Sequence, residues 1–469
     1  MNFIAVFKNI AYSFSANLIS LGISIFMVLV VPKFLSVDDY GLWQLFLFYF
    51  SYLGFLHFGW EDGIYLRYAG KSLDELNRRT FAGQFYGIVA LQIFEVVTVI
   101  GFGKLVITDP VKQMALVCAV CLAPFVNFNN LCNFILQITN CIKEYVLLLL
   151  AERMIFFFSV VFFLLVWQQN EFRYMYCANL FSVVGGTLIG VYFFRNFLKP
   201  RFDSFAQIVS EIKENISVGI KLMFANVAGM LIVGIIRYGI SMGWDVATFG
   251  KVSLTLNLSN FLLVFINSVS VVFFPIIKRM DEERRADVYR EIRDVLTFLL
   301  FGALLGYYPL KCILSWWLPK YADSLIYMSI LFPVCVFESK VCLLINTYLK
   351  SMRQEALMLK INIGSVLMSL AVTGLAVGLF RDLNLTVFSI VGVYAFRCIV
   401  AEYVTGKLLG LSLGKEILTD VVMCGVFIAT GWLFDDWRCM AFYGMMYGML
   451  LLLERNRFCK MLARWRQVS

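Results

Sequence analysis

Seven ionisable side chains stand inside long apolar runs of this 469-residue chain: Glu95, Arg153, Arg237, Glu338, Lys340, Arg397 and Glu402. A charge at bilayer depth costs about 2.5–3.5 kcal/mol on insertion scales, so each must face a wet cavity or a partner. Deep cations (Arg153, Arg237, Lys340, Arg397) outnumber the acids that lie away from the interface (Glu95, Glu338). A hollow of that balance suits an anionic passenger, because guanidinium forks pair with phosphate oxygens. Amides and hydroxyls accompany the charges. Ser13, Asn17, Ser20 and Ser24 recur at steps of four, three and four, which places them on one helical face. Ser253, Asn257, Asn260 and Asn267 repeat the pattern, while Asn226 and Arg237 nearly superimpose in projection.

The substrate-facing set is therefore expected to be Arg237, Arg397, Lys340, Arg153, Arg67, Asn226, Asn257, Asn260 and Asn17, with Glu95 and Glu338 as ion-coupling candidates. Structural readings stand beside these. Serines and asparagines also hold dry helix interfaces together. Arg237 and Arg397 suit a buried pair as well as a ligand site, and Arg153 has Glu152 as a local partner. Glu95 follows Gln92 by one turn and suits either a hydrogen-bonded structural role or ion carriage. Arg67 belongs at a cavity mouth or in an ordinary loop, and Lys221 reads as a side chain snorkelling to the interface.

The elements that must position these residues are apolar stretches of membrane-spanning length. We place fourteen, at 13–32, 42–59, 82–103, 113–135, 145–167, 174–194, 217–240, 251–275, 295–315, 325–348, 361–380, 386–406, 416–434 and 439–453. About 20 apolar residues cross a bilayer, and in lipid such stretches must be helices because stray backbone groups find no water. Of the 40 Lys and Arg, 26 fall on the side carrying both termini, nine on the other, and five in or beside the stretches. That asymmetry puts both termini in the cytoplasm. The basic run Lys278, Arg279, Arg284, Arg285, Arg290 and Arg293 reads as an anchor beside anionic headgroups, with gating or partner docking as the alternative. A shift of 209 residues aligns Ala16-Asn17 with Ala225-Asn226 and Tyr40-Gly41 with Phe249-Gly250 without a gap. The expected fold is all-α and polytopic, with about 14 transmembrane helices. Residues 1–205 and 206–410 form two six-helix bundles, followed by an extra helix pair and basic tail at 411–469.

Composition narrows the function further. Hydrophobic residues make up 61% and charged residues 15% of the chain, and mean hydropathy is +0.81. The net charge of +9 follows from topology and implies no nucleic acid. Most of the twelve cysteines lie in apolar stretches, where Cys acts as a small hydrophobe; Cys118 and Cys121 have CxxC spacing but no second pair. A single histidine, no Gly-rich phosphate loop and no metal-ligand set argue against catalysis. The start of the chain has no cleavage pattern and reads as mature protein.

The stretch Pro32-Lys33-Phe34-Leu35-Ser36-Val37-Asp38-Asp39-Tyr40-Gly41-Leu42-Trp43 resembles the loop after the first helix of bacterial polysaccharide flippases, which move O-antigen or capsule repeat units. His57-Phe58-Gly59-Trp60 through Gly63-Ile64-Tyr65-Leu66-Arg67-Tyr68 is similar to the end of their second helix, where a Gly-containing turn leads to an Arg–aromatic pair. The resemblance covers nearly the whole chain through loose motifs. It implies a V-shaped pair of bundles of the multidrug/oligosaccharidyl-lipid/polysaccharide exporter (MOP) type. The implied passenger is a polyprenyl-diphosphate-linked oligosaccharide, flipped across the bacterial inner membrane by alternating access. No cofactor is implied beyond a coupling ion, H+ or Na+. The implied partners are membrane lipids and the polymerase and glycosyltransferases of the same polysaccharide route. Arg67 matches a motif position. The last two helices depart from the common twelve and suit a groove for a lipid tail.

Three other functions compete. A cation-coupled drug exporter of the same superfamily would place acids throughout the N-terminal bundle, where Glu95 stands nearly alone. A membrane-embedded polymerase or glycosyltransferase would need a large outer loop, and every loop here is short. A membrane scaffold leaves the deep arginines unexplained.

Overall fold

The computed structural model describes residues 3–199, 203–260, 263, 277, 281–434 and 437–455, and the side chains of residues 3–17, 282 and 283 are outside that description. Every regular element among the described residues is helical, so the fold is all-α. The first half comprises α1 (Phe3–Phe34), α2 (Val37–Leu53), α3 (Trp60–Tyr68), α4 (Arg78–Val106), α5 (Pro110–Val120), α6 (Ala123–Ile138), α7 (Ile142–Val161) and α8 (Phe172–Phe194). Next come α9 (Phe205–Gly243), α10 (Val246–Ser259), α11 (Glu282–Leu304), α12 (Tyr307–Trp317), α13 (Ile326–Leu331), α14 (Val334–Ser339) and α15 (Asn346–Ser351). The chain ends with α16 (Glu355–Thr373), α17 (Leu383–Leu408), α18 (Gly414–Leu433) and α19 (Trp437–Leu453).

Nine helical segments among the described residues are long and apolar enough to cross a membrane, or ten if the pair Pro319–Leu331 and Val334–Ser351, bent by 44°, is one span. Leu18–Phe34 and Trp437–Leu453 are shorter apolar helices. The protein is thus a multi-pass membrane protein. Polar residues between the apolar runs set the helix starts. The side chains of Ser36, Asn77, Asp109 and Asp382 accept hydrogen bonds from the first free N–H groups of α2, α4, α5 and α17. Pro110, whose missing N–H costs nothing at a first helical position, follows its cap directly.

The chain divides into two compact units, Met1–Val227 with Val246–Gly250 and Ala228–Asp245 with Lys251–Ser469. The division falls inside α9, a continuous helix of 39 residues, and α18 and α19 belong to the second unit. In the first unit Trp60, Phe81, Phe85, Phe128 and Phe194 centre an aromatic core. Glycines let backbones approach around it. A Cβ on Gly63 would fall on the carbonyl oxygen of Asn215, and one on Gly219 would fall on that of Gly59. This glycine joint presses α3 against α9. A second joint contains the residues that the 209-residue shift superimposes: a Cβ on Gly250 would sit 2.6 Å from Cα of Gly41.

Gly219→Ala is expected to destabilise the protein by about 1–3 kcal/mol, because added atoms in a packed contact force backbone shifts. Gly364→Ala should not, because a Cβ added at this position of α16 meets nothing within 4 Å. Thermal melts of the two detergent-purified variants compare them directly.

Candidate functional site

In the second unit α9, α10, α14, α16 and α17 assemble a polar centre. Arg237 of α9 is partly buried and donates from Nη2 to Ser253 Oγ of α10 at 3.2 Å. Asn257, one turn beyond Ser253, shares that face of α10. Arg397 of α17 is 6% exposed. Its Nη1 donates to both carboxylate oxygens of Glu338, at 3.1 and 2.8 Å, and its Nε donates to Asn362 Oδ1 at 3.2 Å. Tyr394, one turn before Arg397, lies within electrostatic reach of Glu338, Arg397 and Arg237 together. Two arginines of the expected set thus lie within electrostatic reach of one tyrosine. Glu338, expected as an ion-coupling acid, forms an ion pair with Arg397.

Lys340 needs a larger correction. It is fully buried and bonds to Asp420 and, at 3.3 Å, to Glu402 Oε2. Arg293 completes the group, with Nε donating to Glu402 Oε1 at 2.5 Å and Nη2 to Asp420 Oδ2 at 2.6 Å. Lys340 and Arg293 are thus engaged by Glu402 and Asp420 across α11, the π-turn after α14, α17 and α18, with Asp294 3.8 Å from Arg293 Nη1. A cavity of about 80 Å³ beside the network, lined in part by Arg293, Thr297 and Asp420, is too small for an oligosaccharide. Arg293, read from the sequence as part of a headgroup anchor, turns inward and is 3% exposed. Lys278 and Arg279 of that run lie outside the described residues. The sequence signal overlooked here is Asp420, an acid about one turn into the apolar stretch at 416–434.

In the first unit Arg67 closes onto the start of α9. Its Nη1 donates to Glu211 at 2.8 Å and to Asn215 Oδ1 at 2.5 Å, and its Nη2 meets Glu214 at 2.8 Å. The Tyr68 hydroxyl donates to the same Glu211 oxygen at 3.1 Å. Arg67 is therefore a clamp between α3 and α9 rather than an open cavity-mouth residue. Its three partners follow one another on one face of α9, which the sequence alone does not bring near. Arg153 is exposed, and its neighbour Glu152 turns inward to accept from Asn129 Nδ2 at 2.5 Å. Asn226 and Lys221 are exposed on α9, and Asn260 is partly buried. The side chains of Asn17 and Ser13, and all of Asn267, lie outside the described residues.

Glu95 is 6% exposed. Gln92, one turn earlier, lies within side-chain hydrogen-bond reach of it, while Gln92 Nε2 donates to Leu56 O at 2.6 Å and Oε1 accepts from Asn127 at 2.8 Å. Glu61, which in the sequence belongs to a polar cluster at a helix end, is more deeply buried still.

No family model matches the chain, and no curated protein matches it. Solved structures do. The inward-facing conformation of a multidrug resistance MATE family transporter of the MOP superfamily superimposes with a TM-score of 0.60 at 14% identity, over 86% of this chain and 98% of that one. The lipid II flippase MurJ in its inward closed conformation gives 0.60 at 11% identity, over 96% and 99%. A MOP superfamily transporter from Pyrococcus furiosus gives 0.50 at 13% identity, over 86% and 97%. At such identities the likeness is one of fold, and the fold is that of MOP transporters. These neighbours are transporters and flippases, not enzymes.

Lys340→Met is expected to cost about 3–5 kcal/mol, because it leaves a buried carboxylate without its cation. The double variant Lys340→Met with Asp420→Leu removes one charge of each sign and should recover most of the loss, read as melting temperature in detergent.

Proposed function

We propose that the protein is a flippase that carries polyprenyl-diphosphate-linked oligosaccharide repeat units across the bacterial inner membrane by alternating access, for surface polysaccharide synthesis. The observation that carries this reading is the pair of guanidinium groups, Arg237 and Arg397, both within electrostatic reach of Tyr394 inside a bundle of MOP fold. A diphosphate offers oxygens on both sides, which suits two forks better than two point charges. Glu338 neutralises Arg397 between passengers, and an arriving diphosphate competes with it for the same Nη1 donor. Asn257 and Asn362 supply amides for sugar hydroxyls.

Coverage favours a flippase over a drug exporter. The MATE structure is used up against 86% of this chain, whereas MurJ accompanies 96% of it. The excess basic residues support a cytoplasmic position for both termini, on the side where glycosyltransferases would load the lipid carrier; a polymerase would take it up on the far side. A cation-coupled exporter remains the second reading because Glu95 is a buried acid in the first unit.

Proteoliposomes holding a labelled polyprenyl-diphosphate oligosaccharide test the proposal. Wild type should expose the label to an external quencher. Arg237→Ala and Arg397→Ala should each slow it about 10- to 100-fold, since a hydrogen bond to a charged group contributes about 1.5–3 kcal/mol. Arg237→Lys should not restore the rate, for want of the fork. Unchanged flipping by both alanine variants, or export of a cationic dye with no flipping by wild type, would overturn the reading.

A further inference from the structure

A buried acid in the first unit has no part in the site above. Glu61 of α3 is 0% exposed, and neither of its oxygens has a hydrogen-bond partner. A carboxylate taken from water without a compensating donor is costly enough that the group holds its proton instead. The imidazole of His57 lies beside it, with Nε2 at 3.8 Å from Glu61 Oε2 and at 3.8 Å from Asp62 Oδ2. His57 Nδ1 accepts from the backbone N–H of Gly59 at 3.0 Å. A neutral ring accepting at Nδ1 carries its proton on Nε2, the nitrogen that faces the two acids.

Gly59 ties this cluster to the glycine joint. It opens α3 with φ of 81°, and a Cβ there would lie 2.5 Å from the backbone nitrogen of Ile220. The residue whose N–H rests on the imidazole is thus the residue in contact with α9. Further along the same helix stands Arg237.

We propose that Glu61, His57 and Asp62 form a proton-binding site whose occupancy sets the packing of α3 against α9. With the proton on Glu61 the ring stays neutral and the Gly59 turn is held. When the Glu61 O–H bond breaks and the proton leaves to the aqueous side, a carboxylate remains whose nearest donor is His57 Nε2–H. The pair draws together, and the ring that supports Gly59 moves with it. Other charges around Glu61 do not substitute for the proton. On α6 the nearby group is the buried thiol of Cys132, with Glu152 of α7 beyond it. On α9 the acids Glu211 and Glu214 are engaged by Arg67. Burial pushes the Glu61 carboxyl well above its ordinary range, with Asp62 adding to the effect, and burial pushes Asp62 up to about 6.

Only the consequence, a proton-coupled step, rests on the transport reading; the test uses no substrate. The full chain in lipid nanodiscs is titrated while two signals are read. One is the infrared carbonyl band of protonated carboxylic acid, and the other is hydrogen exchange in residues 212–224, expressed relative to the intrinsic amide rate at each pH. Wild type should lose part of the band and gain exchange as pH rises. Glu61→Gln should lack that part of the band and keep low-pH exchange throughout. His57→Gln, which retains an acceptor for Gly59, should keep the band and lose the exchange response. The melting temperature adds a sign check. An acid whose folded pKa is raised stabilises most at low pH, so wild type minus Glu61→Gln should fall as pH climbs above about 4.3. A Glu61→Gln protein with the wild-type band and exchange profile would overturn the proposal, as would an unchanged exchange response in His57→Gln.

Discussion

Charge neutralisation away from water is the constraint on which this structure depends. With 61% hydrophobic residues, lipid is the solvent for most of the surface, and no buried charge can be hydrated in place. The second unit meets the constraint with a carboxylate for each cation at two places: Arg397 with Glu338, and Arg293 and Lys340 with Glu402 and Asp420. The first unit meets it differently. Arg67 gathers acids at a helix end, while Glu61 stays deep without a donor, a condition that protonation relieves.

These two solutions have different mechanical results. A closed four-charge network across α11, α17, α18 and the π-turn after α14 resists rearrangement, because parting any member strands a charge. It ties α18 to α11 and α17 of the second unit. An acid that is neutral only while protonated is the opposite kind of element, with two states separated by one proton. A rigid ion-paired network thus lies near the centre that the flippase reading assigns to the passenger. The buried acid Glu61, whose oxygens have no hydrogen-bond partner, lies in the first unit.

Backbone contact through glycine supplies the remaining link. Gly59, Gly63 and Gly219 allow α3 and α9 to touch without side chains between them. Any movement of the Gly59 turn is therefore felt directly by α9, with no compliant layer to absorb it. Gly41 and Gly250 meet in the same manner, and they occupy equivalent places under the internal shift. A repeat legible only as weak similarity has its matched glycines in contact.

Hydropathy and the spacing of polar residues were enough to read the all-α, multi-pass character, because lipid leaves the backbone few alternatives; of the fourteen spans expected, nine or ten are long and apolar enough among the described residues. They also found the ionisable residues worth examining, since a charge inside an apolar run is visible in one dimension. Which of those charges is spent on another could not be read there. Lys340 and Arg397 look alike in the sequence, yet one is sealed among Glu402, Asp420 and Arg293 while the other pairs with Glu338 beside Tyr394. Arg67 and its acids are far apart along the chain, and Glu61 gives no sign of its burial. Pairing and burial depend on which helix faces touch, and only the tertiary structure decides that.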